Sequence, residues 1–299
     1  MASAQESGTA SERLAAQVEQ IIISRINNDK LALPAFPAVA AKCLQVLKNP
    51  DFSNKSVVAL LEQDPVLSAR VLRLANSVAY KASAAGQLSL SAAVVRLGAQ
   101  KVRSLLVEAT VQQLYESRDK RIAASLSSIW EHSVAVAILA RDLAALTNQT
   151  AVSETVYLCG LLHDVGKMIV ASILLEAEKM IFATRPNHQW VGSDEWLAAV
   201  NRSHRSVGVT LAERWTLPQE VLAAVKECAD YDSVNRNAAS NYVRFANAVA
   251  KREGIYIGNV DGAEIETLIM IGRSLLDVDD ELLNRVTSKL GERVKAQMA

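Results

Sequence analysis

Leu161-Leu162-His163-Asp164-Val165-Gly166-Lys167 is the stretch on which the reading of the fold turns. Val156, Leu158, Leu161 and Leu162 recur at helical spacing, Ser153 reads as their N-cap, and the apolar run closes on an adjacent histidine and aspartate. Neighbouring side chains on a helix diverge by about 100°. His163 and Asp164 can therefore meet one point only where the helix distorts or ends, and Gly166 permits that by freeing the backbone. A neutral imidazole and a carboxylate are suitable ligands for iron, manganese or zinc, and Lys167 is placed to face a phosphate.

Upstream, Ile129 to Leu146 reads as one long alanine-rich helix carrying His132, 31 residues before His163 (163 − 132). Two readings of these histidines stand side by side: ligands of one metal, or core histidines satisfied by hydrogen bonds. Without a metal, a buried Asp164 needs a cationic or donor partner, and His132, His163 and Lys167 are nearest by motif. His204 reads more readily as a residue that caps or packs its helix.

Further toward the N-terminus, helices are expected over Leu14–Ile26, from Pro37, after Ser53, and from Pro65 behind the cap Asp64. The last should stop at Asn76-Ser77, where asparagine tolerates a left-handed conformation. Gly98 reads as a stop between two helices, and Arg118-Asp119-Lys120-Arg121 as a polar connector. Downstream, separate helices are expected around Trp196-Leu197, from His204 to Trp215, after Pro218, and over Val243–Val249; the tail from Glu264 is again helical in pattern. No sustained period-two alternation occurs, so the chain is expected to be all-α. The expected division is a disordered leader over 1–12, an N-terminal helical lobe over 13–117, a second helical lobe over 118–254 and a C-terminal helical extension over 255–299.

Composition agrees. Twelve glycines and six prolines in 299 residues are too few for a turn-dense β protein. Lysine plus arginine (32) balance aspartate plus glutamate (32), so no global field draws the chain to nucleic acid. Cys43, Cys159 and Cys228 are scattered and lack a CxxC pair, which speaks for a reducing compartment. No apolar run reaches the roughly 18 residues of a membrane span. A soluble, cytoplasmic protein without membrane insertion is expected.

The His163-Asp164 segment resembles the HD superfamily of metal-dependent phosphohydrolases, with His132 in the position of the lone upstream histidine. Asp64-Pro-Val-Leu-Ser-Ala-Arg-Val-Leu-Arg-Leu-Ala-Asn-Ser77 narrows the likeness to HDOD domains, the HD-related output domains of bacterial signalling proteins. Ala92–Gly98, Trp130–Ser133, His204–Gly208 and Leu211–Pro218 follow in the family's order, so the resemblance covers about residues 31 to 250. It implies an HD-like multi-helix bundle with an additional N-terminal helical lobe. It also implies His132, His163 and Asp164 as vestigial metal ligands, with His204, Cys228 and Asn247 at altered positions.

Asn247 stands where catalytic relatives carry a closing aspartate, and Glu227-Cys228-Ala229-Asp230 stands where others carry paired histidines. A neutral amide is a poorer ligand for a hard cation, and Cys228 reads as a small apolar residue. The resemblance thus implies a regulatory scaffold that binds other proteins of two-component or cyclic-dinucleotide pathways, with no cofactor and with nucleic acid an unlikely partner. The alternative is a phosphohydrolase or phosphodiesterase acting on nucleotides. It would use Fe, Mn or Zn, with Asp164 and Lys167 in catalysis.

Overall fold

The computed structural model describes residues 38–47, 49, 51–77, 80, 89–147, 149–184, 193–227 and 230–298, with isolated positions at 20, 24 and 28. The expected leader, most of the Leu14–Ile26 helix and Cys228 lie outside the described residues. Among the described residues every regular element is helical. The chain divides into two compact units, Pro34–Leu114 and a second comprising Tyr115–Ala299 with the first 33 residues.

In the first unit α1 (Ala38–Val46), α2 (Asn54–Leu61), α3 (Pro65–Ala75) and α4 (Leu90–Gln112) enclose a core that includes Cys43, Val57, Leu61, Val71, Leu97 and Leu106. Asp64 caps α3 as expected: its Oδ1 accepts from the amides of Val66 and Leu67 at 3.0 and 3.1 Å, and Pro65 occupies the first turn. Asn76 does end α3, but at φ −94° rather than in the left-handed region. Its side-chain amide instead donates to the Leu72 carbonyl at 2.9 Å, which also accepts the Asn76 backbone amide at 3.0 Å. Gly98, at φ 73° and ψ 163°, kinks α4, and the helix resumes beyond it.

The second unit is built on α5 (Lys120–Leu146) and α6 (Ser153–Leu162). Asp119 caps α5, so the polar connector is the helix start. Ser153 lies inside the first turn of α6 and donates to the Thr150 carbonyl at 2.8 Å, in place of the cap role expected for it. α5 and α6 pack backbone to backbone: a Cβ on Gly160 would stand 2.8 Å from Ala137 Cα. Lys120–Leu146 and the run Ser153–Ala177 average apolar enough to cross a membrane, yet 67% and 94% of their apolar windows are buried inside the protein. That is the pattern of core helices.

Around them lie α7 (Gly166–Thr184), α8 (Ser193–Arg214), α9 (Gln219–Glu227) and α10 (Ala239–Arg252). α8 is one continuous helix where two were expected, because its polar stretch Ser203-His204 is turned inward and buried. Asn241, fully buried at the start of α10, accepts from the Asp232 amide and donates to the carbonyls of Asp232, Asn235 and Arg236, pinning the preceding loop. α11 (Gly262–Leu276) packs on α10, and α12 (Asp280–Thr287) and α13 (Leu290–Met298) pack on α5. Residues after 254 therefore share the compact unit of α5 and α6.

Candidate functional site

Helix ends and a tight turn bring five polar side chains together in the Tyr115–Ala299 unit. His132 projects from the middle of α5; His163 ends α6; Asp164 lies in the turn; Lys167 is in the first turn of α7; His204 is in α8. All five are buried, none exposed by more than 7%. Such groups are tolerated only where they satisfy one another.

Asp164 is their common centre. Its Oδ2 lies 2.6 Å from Lys167 Nζ, 3.3 Å from His163 Nε2 and 4.0 Å from His132 Nε2, while Oδ1 lies 3.2 Å from His204 Nε2. Each imidazole is anchored through its other nitrogen, Nδ1, which lies 2.7 Å from a backbone carbonyl: Ile255 for His132, Gly160 for His163 and Asn201 for His204. A carbonyl only accepts, so Nδ1 carries the proton and donates. The Nε2 atoms of His132 and His163 are buried and have no hydrogen-bond partner.

A carbonyl that fixes the tautomer and the ring plane, with the opposite nitrogen left bare, is the way histidine is presented to a metal. The ligand atoms of His132, His163 and Asp164 lie within 4.8 Å of one another. Two atoms held by one cation at about 2.1 Å lie about 3.0 Å apart at a right angle and about 3.4 Å apart in a tetrahedron. His163 and Asp164 already have that spacing, at 3.3 Å, whereas His132 Nε2 at 4.0 Å would have to close in; in residue type the donor set fits a divalent metal. His204 stands on the opposite oxygen of Asp164, so the structure brings it into the centre, where sequence spacing favoured a packing role.

Lys167 does not face open space as a phosphate ligand would. Its ammonium is paired with Asp164, on the very oxygen that His132 and His163 approach. Burial by itself would raise the Asp164 pKa. The imidazoles of His163 and His204 and the Lys167 ammonium around it outweigh that, and hold the carboxyl well below the usual carboxylate range. Burial pushes His132 the other way, down to about 3, and outweighs the opposing pull of the Asp164 charge. The buried Tyr115 hydroxyl is pushed up by burial and by the Asp164 charge.

The depressed His132 value sets a pH dependence. The unfolded ring titrates near about 6.5, so between there and about 3 the unfolded chain binds a proton that the folded ring refuses. Stability is therefore full above about 6.5 and declines as pH falls. In chelator-treated protein, urea midpoints should drop steadily from pH 7 to pH 4, and His132→Gln should show a shallower slope. An unchanged slope would mean that His132 is protonated in the folded state.

Gly166 acts through space rather than through conformational freedom, since its φ is not positive. A Cβ there would stand 1.8 Å from the His204 carbonyl oxygen and 2.7 Å from the Gly208 amide. The missing side chain lets α8 cross against the turn and delivers His204 to Asp164. Tyr256, half-buried just beyond α10, sets its ring edge-on to His132 at 5.1 Å, with Lys167 Nζ 5.3 Å and Lys251 Nζ 4.8 Å from its centroid. No spacing in the sequence pointed to Ile255 or Tyr256. Asn247, in α10, has a buried Oδ1 without a hydrogen-bond partner.

Comparison with known proteins places the chain in a family. The family model described as HDOD domain matches residues 33–231. A protein of Treponema pallidum (strain Nichols), itself described only as uncharacterized, is 27% identical over 203 residues, which are 65% of this chain and 37% of the relative. The chain thus spans little more than a third of that relative's length. Among solved structures, a Shewanella amazonensis SB2B protein named as a candidate metal-dependent phosphohydrolase superposes with a TM-score of 0.75 at 22% identity, over 95% of this chain and 99% of its own. A Marinobacter aquaeolei VT8 protein named as a candidate signal transduction protein gives 0.63 at 21%, over 95% of this chain and 65% of its own.

Proposed function

Because this chain belongs to the HDOD domain family, we propose that it is an output domain of a bacterial signalling pathway that works by binding other signalling proteins. In this reading its histidine–aspartate centre serves the fold rather than hydrolysis. One observation carries the non-catalytic half of the proposal: the Lys167 ammonium already neutralises Asp164, the single carboxylate of the centre, at 2.6 Å. By the family resemblance Asn247 supplies an amide where catalytic relatives carry a carboxylate, which goes with the same reading. The likeness of fold to a protein named for signal transduction supports the pathway, and the balanced charge argues for protein partners over nucleic acid. Partners in two-component or cyclic-dinucleotide pathways, and a cytoplasmic location, go with this proposal.

The unpartnered Nε2 atoms of His132 and His163 favour a second reading, a phosphohydrolase or phosphodiesterase acting on nucleotides. His132, His163 and Asp164 would then hold iron, manganese or zinc, which when bound supplies a hydroxide near neutral pH. The chain's own contribution would be to fix the two rings through Ile255 and Gly160 and to keep the carboxylate ionised.

Metal analysis of the full chain purified without chelator, joined to a phosphodiesterase and nucleotidase screen, separates the two. We expect metal well below one ion per chain and no turnover. One tightly held ion per chain, with hydrolysis abolished by Asp164→Asn, would establish the enzyme instead.

A further inference from the structure

We infer that Lys167 is a built-in competitor of metal: its ammonium and a divalent cation exclude one another at Asp164 Oδ2, so that the side chain sets how readily the centre loads. The inference rests on the centre described above. It holds whether the loaded form is catalytic or not.

Three observations carry it. Lys167 Nζ and the bare Nε2 atoms of His132 and His163 all address Oδ2, at 2.6, 4.0 and 3.3 Å. Both rings have already spent Nδ1 on carbonyls, so their remaining lone pairs have nothing in the protein to bind. The pair is enclosed, with the Lys167 and Asp164 side chains each 7% exposed. An ammonium hydrogen-bonded to Oδ2 and a cation coordinated to it would be two positive centres on one carboxylate oxygen, and a low-dielectric surround magnifies their repulsion. With Lys167 in place the Lys167–Asp164 pair is neutral, and a divalent ion would leave it with excess buried charge. The exchange is therefore one cation for another. Lys167 must leave Oδ2 as the metal arrives, and the Tyr256 ring face, 5.3 Å from Nζ, is a surface that receives an ammonium.

The test is equilibrium binding of Mn²⁺ and of Zn²⁺ to the chelator-stripped full chain, by competition with a chromophoric chelator. Lys167→Met removes the charge and keeps the bulk; Lys167→Arg keeps the charge; Lys251→Met removes the neighbouring ammonium over the Tyr256 ring. We expect Lys167→Met to bind at least tenfold more tightly than the parent, Lys167→Arg and Lys251→Met to bind within threefold of it, and His132→Ala to abolish the gain. Lys167→Met should also melt lower than the parent in chelator and recover on adding Mn²⁺.

Equal affinity in Lys167→Met and the parent overturns the inference, as does an equal gain in Lys167→Arg, which would implicate space rather than charge. So does a Lys167→Met protein that unfolds in chelator and is not restored by metal. Failure of the functional reading looks different, since it is seen in the parent protein as full metal occupancy with hydrolysis.

Discussion

Asp164→Ala should lower the stability of the chain by about 3–5 kcal/mol, the cost of breaking a buried ion pair by removing one partner. The substitution strips Lys167 of the carboxylate 2.6 Å away and leaves an ammonium enclosed by three imidazoles and the Tyr256 ring. Urea denaturation in the presence of chelator, followed by tryptophan fluorescence, would register the loss. The double substitution Asp164→Leu with Lys167→Met should recover most of it, because both charges then leave the interior together. A loss below about 1 kcal/mol in the single variant would mean that the pair opens to water in solution, and the view of the centre as part of the fold would fall with it.

Gly166→Ala should be nearly as damaging, by about 3 kcal/mol or somewhat more, for a different reason. The added methyl meets backbone on two sides, the His204 carbonyl at 1.8 Å and the Gly208 amide at 2.7 Å, and neither can rotate away as a side chain would. α7 and α8 must separate, and His204 leaves Asp164 Oδ1. Gly208→Ala provides the contrast. Its methyl would meet the Val225 side chain at 3.0 Å and the Gly166 amide at 3.3 Å, so a small adjustment suffices and a cost of about 1 kcal/mol is expected. Thermal melts of the two variants should therefore differ clearly. Equal melting temperatures would show that the helix crossing is looser than the structure has it.

These two residues also mark how far the sequence could be read. His163 and Asp164 announce themselves as a pair, and the long buried helix with His132 is visible from its apolar periodicity. What Asp164 touches was legible only in part, because a lysine three residues along a helix can turn toward the carboxylate or away from it. Spacing cannot choose between pairing and phosphate binding. Gly166 was noticed, but for conformational freedom rather than for the approach of a distant helix, which is a property of tertiary packing. His204 sits in a polar stretch that reads as a cap or a packing segment of its helix; the structure buries that stretch against the centre within one continuous α8. Ile255 and Tyr256 carry no local signal at all. The helix caps followed the same rule: Asp64-Pro65 was unambiguous, whereas Ser153 and Asn76 offered one side chain several backbone groups and satisfied ones other than those expected.

The hydrogen bond from His132 Nδ1 to Ile255 O joins residues 123 apart in the chain, while Lys167 lies only three residues from Asp164. Synthesis from the N-terminus makes these events sequential. The lysine pair can close as soon as the first turn of α7 forms, but the carbonyl that orients His132 does not exist outside the ribosome until Ile255 has emerged. An emerging chain can therefore match Asp164 with a cation while His132 is still unplaced, His163 and His204 being anchored on carbonyls only three residues away. Order of birth, as much as final geometry, favours the lysine as first occupant of the centre.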